Sequence, residues 1–497
     1  MKHWKNGTIH TLRVPGECFL EMITDGGVIK ELGSDLRPDQ DCEVIDLKGG
    51  HVYPGFVDAH LHLLGYGQML TRPNLRLEKN RVRVLRFIEE QFKGEPLFIE
   101  GYFDIGLEAY DLNAISLEQP ILLRHNDYHS VTVNQVVLDR IGSADRTGIL
   151  TEEAAEAAMR AVTVHTKERL TRMLEAAIDE LHAYGITGGH SEDLAYYNGF
   201  DETLGVFQGV LSERAFRAHL LVHHEVLDDY ERFLKEPGTK NDFLELGAVK
   251  VFYDGTFSSK TALMHEAYLG SRSNGLKIFS DQEFEDLVKR IRFLGLTLAV
   301  HVIGDRGLDE VVEWLRLYPP KAGQKDRIIH ASVATVATIK KLSDMPVTLD
   351  IQPQFLSSDL PWALDLFEKP PQKVYPWKTY LENGIICSGS SDAPVEEPDP
   401  LLGMHAAITR LSKHDHSCYY RDEKLTAYEA LLLYTRHANA QTKDRNRGMI
   451  APGYIADFTI TSKDLETVES DALKEHIVIA TVIDERFVYD RRHNRGT

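Results

Sequence analysis

Short stretches in which apolar and polar residues alternate occupy both ends of the chain. Residues 1–53 carry segments such as Cys18-Phe-Leu-Glu-Met-Ile-Thr and Cys42-Glu-Val-Ile-Asp-Leu, broken by Gly-rich turns, which is an antiparallel β pattern. The last fifty residues look alike, in Gly448-Met-Ile-Ala-Pro-Gly-Tyr-Ile-Ala-Asp457-Phe-Thr-Ile-Thr and then Ile477-Val-Ile-Ala-Thr-Val-Ile. Neither end has enough apolar surface for a core of its own. Chain termini often lie close together in space, so residues 1–53 and 445–497 are expected to combine into one small β-sandwich.

Between them, over residues 54–444, helices alternate with short apolar strands, the signature of parallel βα units. Thr166–Ala183 places Leu170, Met173, Leu174, Ala177, Ile178 and Leu181 on one helical face, and Gly185-Ile-Thr-Gly-Gly follows as turn and strand. Asp281–Phe293 repeats the arrangement with Phe284, Leu287, Val288 and Ile291, followed by the strand Leu296-Thr-Leu-Ala-Val. Further expected strands are Ala248–Tyr253, Arg327–Ile329, Val347–Ile351 and Ile385–Cys387. The stretch from about 65 to 165 fits the alternation poorly and reads as an insertion after the first barrel strand. The 497 residues leave room for a (β/α)₈ barrel, which takes about 250 residues and can exceed 400, plus a second domain.

Composition narrows the partners. With 56 Lys+Arg against 76 Asp+Glu the formal charge is −20, a field that repels phosphate backbones and anionic lipid, so no nucleic-acid or membrane partner is expected. No apolar run approaches the roughly 18 residues of a spanning helix. The start, Met1-Lys2-His3-Trp4-Lys5-Asn6-Gly7, leads into a strand-like stretch, not an apolar signal core. Cys18, Cys42, Cys387 and Cys418 form no CxxC pair and are expected to be reduced, buried thiols of a cytoplasmic protein.

Several strands end in a residue that can bind a metal. Val52-Tyr-Pro-Gly-Phe-Val-Asp-Ala-His60-Leu-His62 ends in His-x-His, and residues i and i+2 of a strand point to one side. Lys250, His301, His330 and Asp392 follow in Ala-Val-Lys-Val-Phe, after Leu-Ala-Val, after Arg-Ile-Ile, and in Ser-Gly-Ser-Ser-Asp-Ala-Pro. Each alone has an ordinary reading: a buried hydrogen-bonded histidine, a turn aspartate, a barrel ion pair. Their joint occurrence in order at successive strand ends, where parallel barrels keep catalytic residues, points to metal. Neutral imidazoles and carboxylates suit zinc or a similar divalent ion, one or two of them, and such an ion lowers the pKa of bound water towards roughly 7. Asp392 then has the position to take the water's proton and hand it to a leaving nitrogen.

The ordered set Pro-Gly-Phe-Val-Asp-Ala-His60-Leu-His62, His301, His330 and Ser-Ser-Asp392-Ala-Pro-Val resembles the amidohydrolase superfamily, and more narrowly the branch containing N-substituted formamide deformylase. Val249-Lys-Val-Phe-Tyr-Asp-Gly-Thr, His301-Val-Ile-Gly-Asp-Arg306, Ile351-Gln-Pro-Gln-Phe and the closing Gly448–Asp457 stretch carry the likeness over nearly the whole chain. The resemblance implies a distorted (β/α)₈ TIM barrel with a β-sandwich built from both chain ends. It implies that His60, His62 and Asp392 hold the more buried metal, with Asp392 the catalytic acid/base, and that His301 and His330 hold the second. It implies further that Lys250 is carboxylated and bridges the metals, the alternatives being an unmodified lysine or a mononuclear site.

There are departures. The branch's Asp-Gly-His in the insertion is here Asp127-Tyr128-His129, and its Asp-Gly-Ser-x-Gly-Ser-Arg is Asp254-Gly-Thr-Phe-Ser-Ser-Lys260. These leave the metal set intact and bear on specificity. Tyr102, Phe103, Tyr128 and His129 are candidates to bind substrate, the other reading being that they pack the insertion's own core. The expected reaction is hydrolysis of a C–N bond in a small neutral or modestly polar molecule, an amide or N-acyl or N-formyl amine. Deamination of a heterocycle and ester or lactone hydrolysis are the alternatives within enzymes, and homo-oligomers are left open. An inert metal-binding protein is disfavoured, because Asp392 would then be dispensable.

Overall fold

The computed structural model describes residues 1–37, 41–76, 78–125, 130–163, 165–235, 241–442 and 446–492. Eight strands form one parallel sheet: β1 (Phe56–Leu61), β2 (Ile186–Ser191), β3 (Arg217–His223), β4 (Leu244–Phe252), β5 (Leu298–Val302), β6 (Asp326–His330), β7 (Val347–Ile351) and β8 (Ile386–Gly389). Each strand pairs in parallel with its predecessor in sequence, from β1 through to β8. Every residue of β1, β2, β3, β5, β6 and β7 is buried, as parallel strands covered on both faces require. The sheet comes close to a closed (β/α)₈ barrel.

Closure is made by residues just past β8. The Ser391 N–H and Oγ–H donate to the Asp58 carboxylate of β1, the Asp392 N–H donates to the His60 carbonyl at 2.8 Å, and the His62 N–H donates to the Ala393 carbonyl at 2.8 Å. The same bonds that seal the barrel therefore fix His60, His62 and Asp392 relative to one another.

The helix before β5 runs over Asp281–Phe293, as the apolar spacing predicts. Ser280 and Glu283 form a reciprocal capping box at its start, Phe284, Val288 and Ile291 are buried, and Gly295, at φ 72°, turns the chain out of it. The helix before β2, Lys167–Ala183, likewise matches expectation. β3 was not among the expected strands.

Residues from both ends of the chain share a pair of sheets. One has four strands, in the order Val28–Gly33, Glu21–Asp25, Lys2–Lys5, Glu43–Asp46. The other has six, in the order Arg486–Asp490, Val478–Ile483, Phe458–Thr461, His51–Pro54, Thr8–His10, Cys18–Phe19. Trp4, Met22, Ile29, Val52, Phe458, Ile460 and Val482 form a common buried cluster, in which Val52 sits opposite Ile460 in the ladder. Cys387 is buried, but Cys42 and Cys418 are half-buried and Cys18 is exposed, because it lies on the edge strand of the six-stranded sheet; none of the four is in a disulfide among the described residues.

Gly67–Met173 is a compact unit of its own. Its four-stranded sheet has the order Ile149–Thr151, Ser130–Val133, Ile121–His125, Leu97–Tyr102, and the helices Arg81–Gln91 and Glu152–Val162 accompany it. Two buried clusters fill it, one around Phe98, Leu122, Val131 and Val137, the other around Val84, Ile88, Ile99, Tyr102 and Leu123. No helix among the described residues is long and apolar enough to cross a membrane.

Candidate metal centre

The C-terminal ends of the barrel strands bring His60, His62, Lys250, His301, His330 and Asp392 together. Ladder registers set the spacing: Lys250 lies opposite His223, His301 opposite Phe252, and His330 opposite Val302. Asp392 Oδ1 is 3.5 Å from His60 Nε2 and 3.4 Å from His62 Nε2, and these three residues have ligand atoms within 4.8 Å of one another. Lys250 Nζ lies 3.3 Å from His60 Nε2, and His330 Nε2 lies 2.9 Å from His301 Nδ1. The His60 and His330 rings, 6.1 Å apart between centroids, join the two groups.

Hydrogen bonds to fixed acceptors settle the tautomers. His62 Nδ1 donates to the Glu192 carbonyl at 2.7 Å, which leaves Nε2 as the nitrogen facing Asp392. His330 Nδ1 donates to Gln352 Oε1 at 2.7 Å, and that amide is itself oriented because its nitrogen donates to the Asp350 carbonyl and Ser390 Oγ. His301 Nε2 donates to the Gly255 carbonyl at 3.3 Å, leaving Nδ1 as a lone pair facing His330. Orienting acceptors of this kind are what metal-ligating histidines need. His60 Nδ1 is buried without a hydrogen-bond partner.

The charges follow from burial. Desolvation holds His60 and His301 well below the ordinary histidine range and His330 down to about 4, so all three are neutral imidazoles, the form that binds metal. At His62 desolvation also acts downward, but the hydrogen bond and charge of Asp392 outweigh it and raise the pKa to about 9. At Asp392 desolvation acts upward, and the neighbouring His62 and His330 leave the carboxyl below its usual value. Burial lowers Lys250 against the pull of Glu192 and Asp392. Its Nζ lies 4.3 Å from the Phe252 ring, and no carboxylate among the described residues reaches ion-pair distance. Asp392 and His330 have φ of 57° and 76°, left-handed backbone for residues with side chains, where the loops after β8 and β6 turn back over the barrel mouth.

Several residues of the centre were not read from the sequence. Glu192, after β2, is buried, accepts the Tyr196 hydroxyl at 2.7 Å, and is pushed by burial to about 7. The pair Glu192-Asp193 directly after Thr187-Gly-Gly-His-Ser was the available signal. His223 ends β3 with Nδ1 accepting the Glu225 N–H at 3.2 Å, which keeps its proton on Nε2; burial brings its pKa to about 4. Asp254 acts as a structural brace, since its carboxylate accepts the N–H groups of Leu263, Ile303 and Gly304 and holds the loop after β5. Beneath the site Arg327 donates to Asp350 at 2.7 Å and to the Ala59 carbonyl at 2.6 Å, tying β6, β7 and β1 together.

Of the residues expected to line a pocket, Tyr102 is placed in the insertion's own core, its hydroxyl accepting the N–H groups of Ile105 and Leu107. Phe103 is half-buried, with the Lys79 ammonium 4.4 Å from its ring. Tyr128 and His129 lie outside the described residues.

Comparison with known proteins gives the family. The amidohydrolase family profile matches residues 43–489. YtcJ of Bacillus subtilis (strain 168) is 34% identical over 527 residues, covering 98% of this chain and 99% of the relative. N-substituted formamide deformylase of Arthrobacter pascens is 24% identical over 544 residues, covering 98% of each. The crystal structure of an uncharacterised metal-dependent hydrolase from Pyrococcus horikoshii OT3 superposes with a TM-score of 0.82 at 26% identity, covering 95% of this chain and 99% of that one. With a His-x-His, two strand-end histidines and an aspartate after the last strand at one barrel mouth, the chain belongs to the amidohydrolase family of hydrolases.

Proposed function

We propose that this protein is a metal-dependent hydrolase that cleaves the C–N bond of a small amide or N-acyl or N-formyl amine. One observation carries the reading: the ring nitrogens of His301 and His330 that face the barrel mouth are lone pairs, and that of His62 becomes one on loss of the proton it shares with Asp392, because their partner nitrogens are committed as donors. With His60 and Asp392 beside them, that is a donor set for divalent cations. In this reading His60, His62 and Asp392 would hold one ion, zinc or similar, and His301 and His330 would hold a second. Lys250 would supply a further ligand there once its neutral amine has added CO₂, forming an N–C bond and releasing one proton. The lowered pKa of Lys250 and the lack of an ion-pair partner among the described residues favour that neutral amine.

A divalent ion supplies Lewis acidity towards a carbonyl oxygen and makes water a nucleophile near neutral pH. The chain's own part is proton movement and orientation. Asp392 takes the proton of the attacking water on its carboxylate and delivers it to the leaving nitrogen. The bonds from Asp392 N–H to His60 and from Ser391 to Asp58 keep that carboxylate aimed at the mouth. The similarity to an N-substituted formamide deformylase along the whole chain favours an N-acyl or N-formyl substrate over a heterocycle. The test is amine release from N-formyl and N-acyl amines by the full chain loaded with zinc, before and after chelation. Metal-dependent release is expected. Turnover confined to esters, lactones or heterocyclic amines, or unaffected by chelation, replaces this reading with another.

A further inference from the structure

We propose that the β-sandwich holds a separate structural transition-metal site formed by His10, His51 and Asp464. The three come from adjacent parts of the six-stranded sheet. His10 ends the strand Thr8–His10, His51 begins the parallel neighbour His51–Pro54, and Asp464 follows Phe458–Thr461, whose Thr461 pairs with His51. His10 Nε2 is 3.0 Å from His51 Nδ1 and 3.9 Å from Asp464 Oδ1, and the three ligand atoms lie within 4.8 Å of one another. Tetrahedral zinc at about 2.0–2.1 Å from nitrogen or oxygen spaces its ligands about 3.3–3.4 Å apart, between those two distances.

The proton positions favour a cation over a plain histidine pair. His10 is 4% exposed, and its Nδ1 makes no hydrogen bond, the nearest anion being Glu466 Oε1 at 3.4 Å. Were the His10 proton on Nε2, the Nδ1 lone pair would face that carboxylate. A proton on Nδ1 removes the repulsion and turns the Nε2 lone pair towards His51 and Asp464, the carboxylate–histidine–metal arrangement. The ring and the carboxylate are both held in place. Tyr53 stacks on His10 with centroids 4.3 Å apart and donates its hydroxyl to Asp464 Oδ1 at 2.9 Å. The Gly16 N–H donates to Glu466 Oε2 at 3.0 Å, and the Glu466 N–H donates to Asp464 Oδ1 at 3.0 Å. Two imidazoles and a carboxylate suit zinc or a similar ion, with one position left for water. Such an ion ties the first strands of the chain to its last segment, which is a structural role.

The experiment counts zinc in the full chain after saturation and removal of free metal. In a His60→Ala, His301→Ala, Asp392→Asn background, which weakens the barrel site, one equivalent is expected to persist and to raise the thermal midpoint. Adding His51→Gln, at a half-exposed position, is expected to abolish both. Asp464→Asn, which keeps an acceptor oxygen for Tyr53, serves as the second variant and is expected to weaken zinc at least tenfold. Equal zinc content and an equal thermal response with and without His51→Gln overturn the proposal and leave a hydrogen bond from His51 to His10 as the account of the pair.

Discussion

His301 Nδ1 and His330 Nε2 face each other across 2.9 Å, although each ring has already committed its other nitrogen as a donor, to the Gly255 carbonyl and to Gln352 Oε1. Two lone pairs at that distance repel unless a cation or a proton lies between them, and burial drives both rings towards the neutral form. A core histidine pair relieves the conflict by using one N–H as a donor to the other ring. Here Gln352 and Gly255 prevent it.

The orientation imposed by Gln352 is therefore expected to matter for metal affinity. Gln352→Leu removes the acceptor for His330 Nδ1 and frees the ring to change tautomer. Loss of such a supporting partner typically costs about 10–100-fold in metal affinity. Gln352→Glu keeps an acceptor at the same place and is expected to retain most of it. Competition with a chromophoric chelator reads the difference, and equal affinities for the Leu variant and wild type count against the assignment of His330.

Proton release tests the other half of the centre. In the cation-free protein His62 titrates at about 9, its proton shared with Asp392, and the neutral form is needed to bind metal. Below pH 9 the proton must be displaced, so metal affinity is expected to fall as pH falls, by up to tenfold per unit from this group. Above pH 9 that dependence flattens. Calorimetric titration in buffers of different ionisation heat at pH 7.5 is expected to give about one proton released from His62 for the first ion; no release contradicts the raised pKa.

Much of this centre could be read from local sequence, and the exceptions have physical causes. His301 and His330 each follow an uninterrupted apolar run, so strand and strand end were visible together. β3 was not, because Arg217, His219 and His223 break its apolar pattern. Arg217 is buried there only because Asp457 accepts its guanidinium, at 2.5 Å, from 240 residues away. Gln352 stood out only as part of a motif; its role depends on a ring delivered by the neighbouring strand. Tyr102 invited a pocket reading as an aromatic in an insertion, yet the insertion has enough apolar residues to build two buried clusters and uses it there.

The buried cluster shared by the two sheets predicts that one large side chain near the start of the chain stabilises the last fifty residues. Trp4 is fully buried, meets Phe458 edge-on at 5.5 Å and Phe487 at 5.7 Å, and donates its indole N–H to Thr24 at 2.9 Å. Trp4→Ala is expected to cost about 3–5 kcal/mol, the range for emptying a large aromatic site. Denaturant unfolding measures it, and limited proteolysis is expected to cut within residues 458–490 sooner than in wild type. Loss of only the N-terminal strands to protease would mean that the two ends do not share a core.

Asp392 separates binding from chemistry. Its carboxylate lies within 3.5 Å of His60 and His62, and its left-handed backbone is set by the bond from its N–H to the His60 carbonyl. Asp392→Asn preserves that backbone bond and one ligand oxygen, and it removes the anion that raises the His62 pKa. Metal is therefore expected to stay bound with less competition from the His62 proton, so the slope of affinity against pH becomes shallower. Turnover is expected to fall by about 10²–10⁴-fold, the usual contribution of general acid–base catalysis, because an amide cannot accept the proton of the attacking water. The acidic limb of the pH–rate profile should disappear with the carboxylate that produces it. Metal content and rate against pH are measured on the same preparation, so that loss of the ion cannot pass for loss of the proton carrier. An Asn variant that keeps its metal and turns over near the wild-type rate would show that the proton travels by another group, and Glu192, buried 130 residues after His62 in the chain with its carboxyl near 7, is then the residue to replace next.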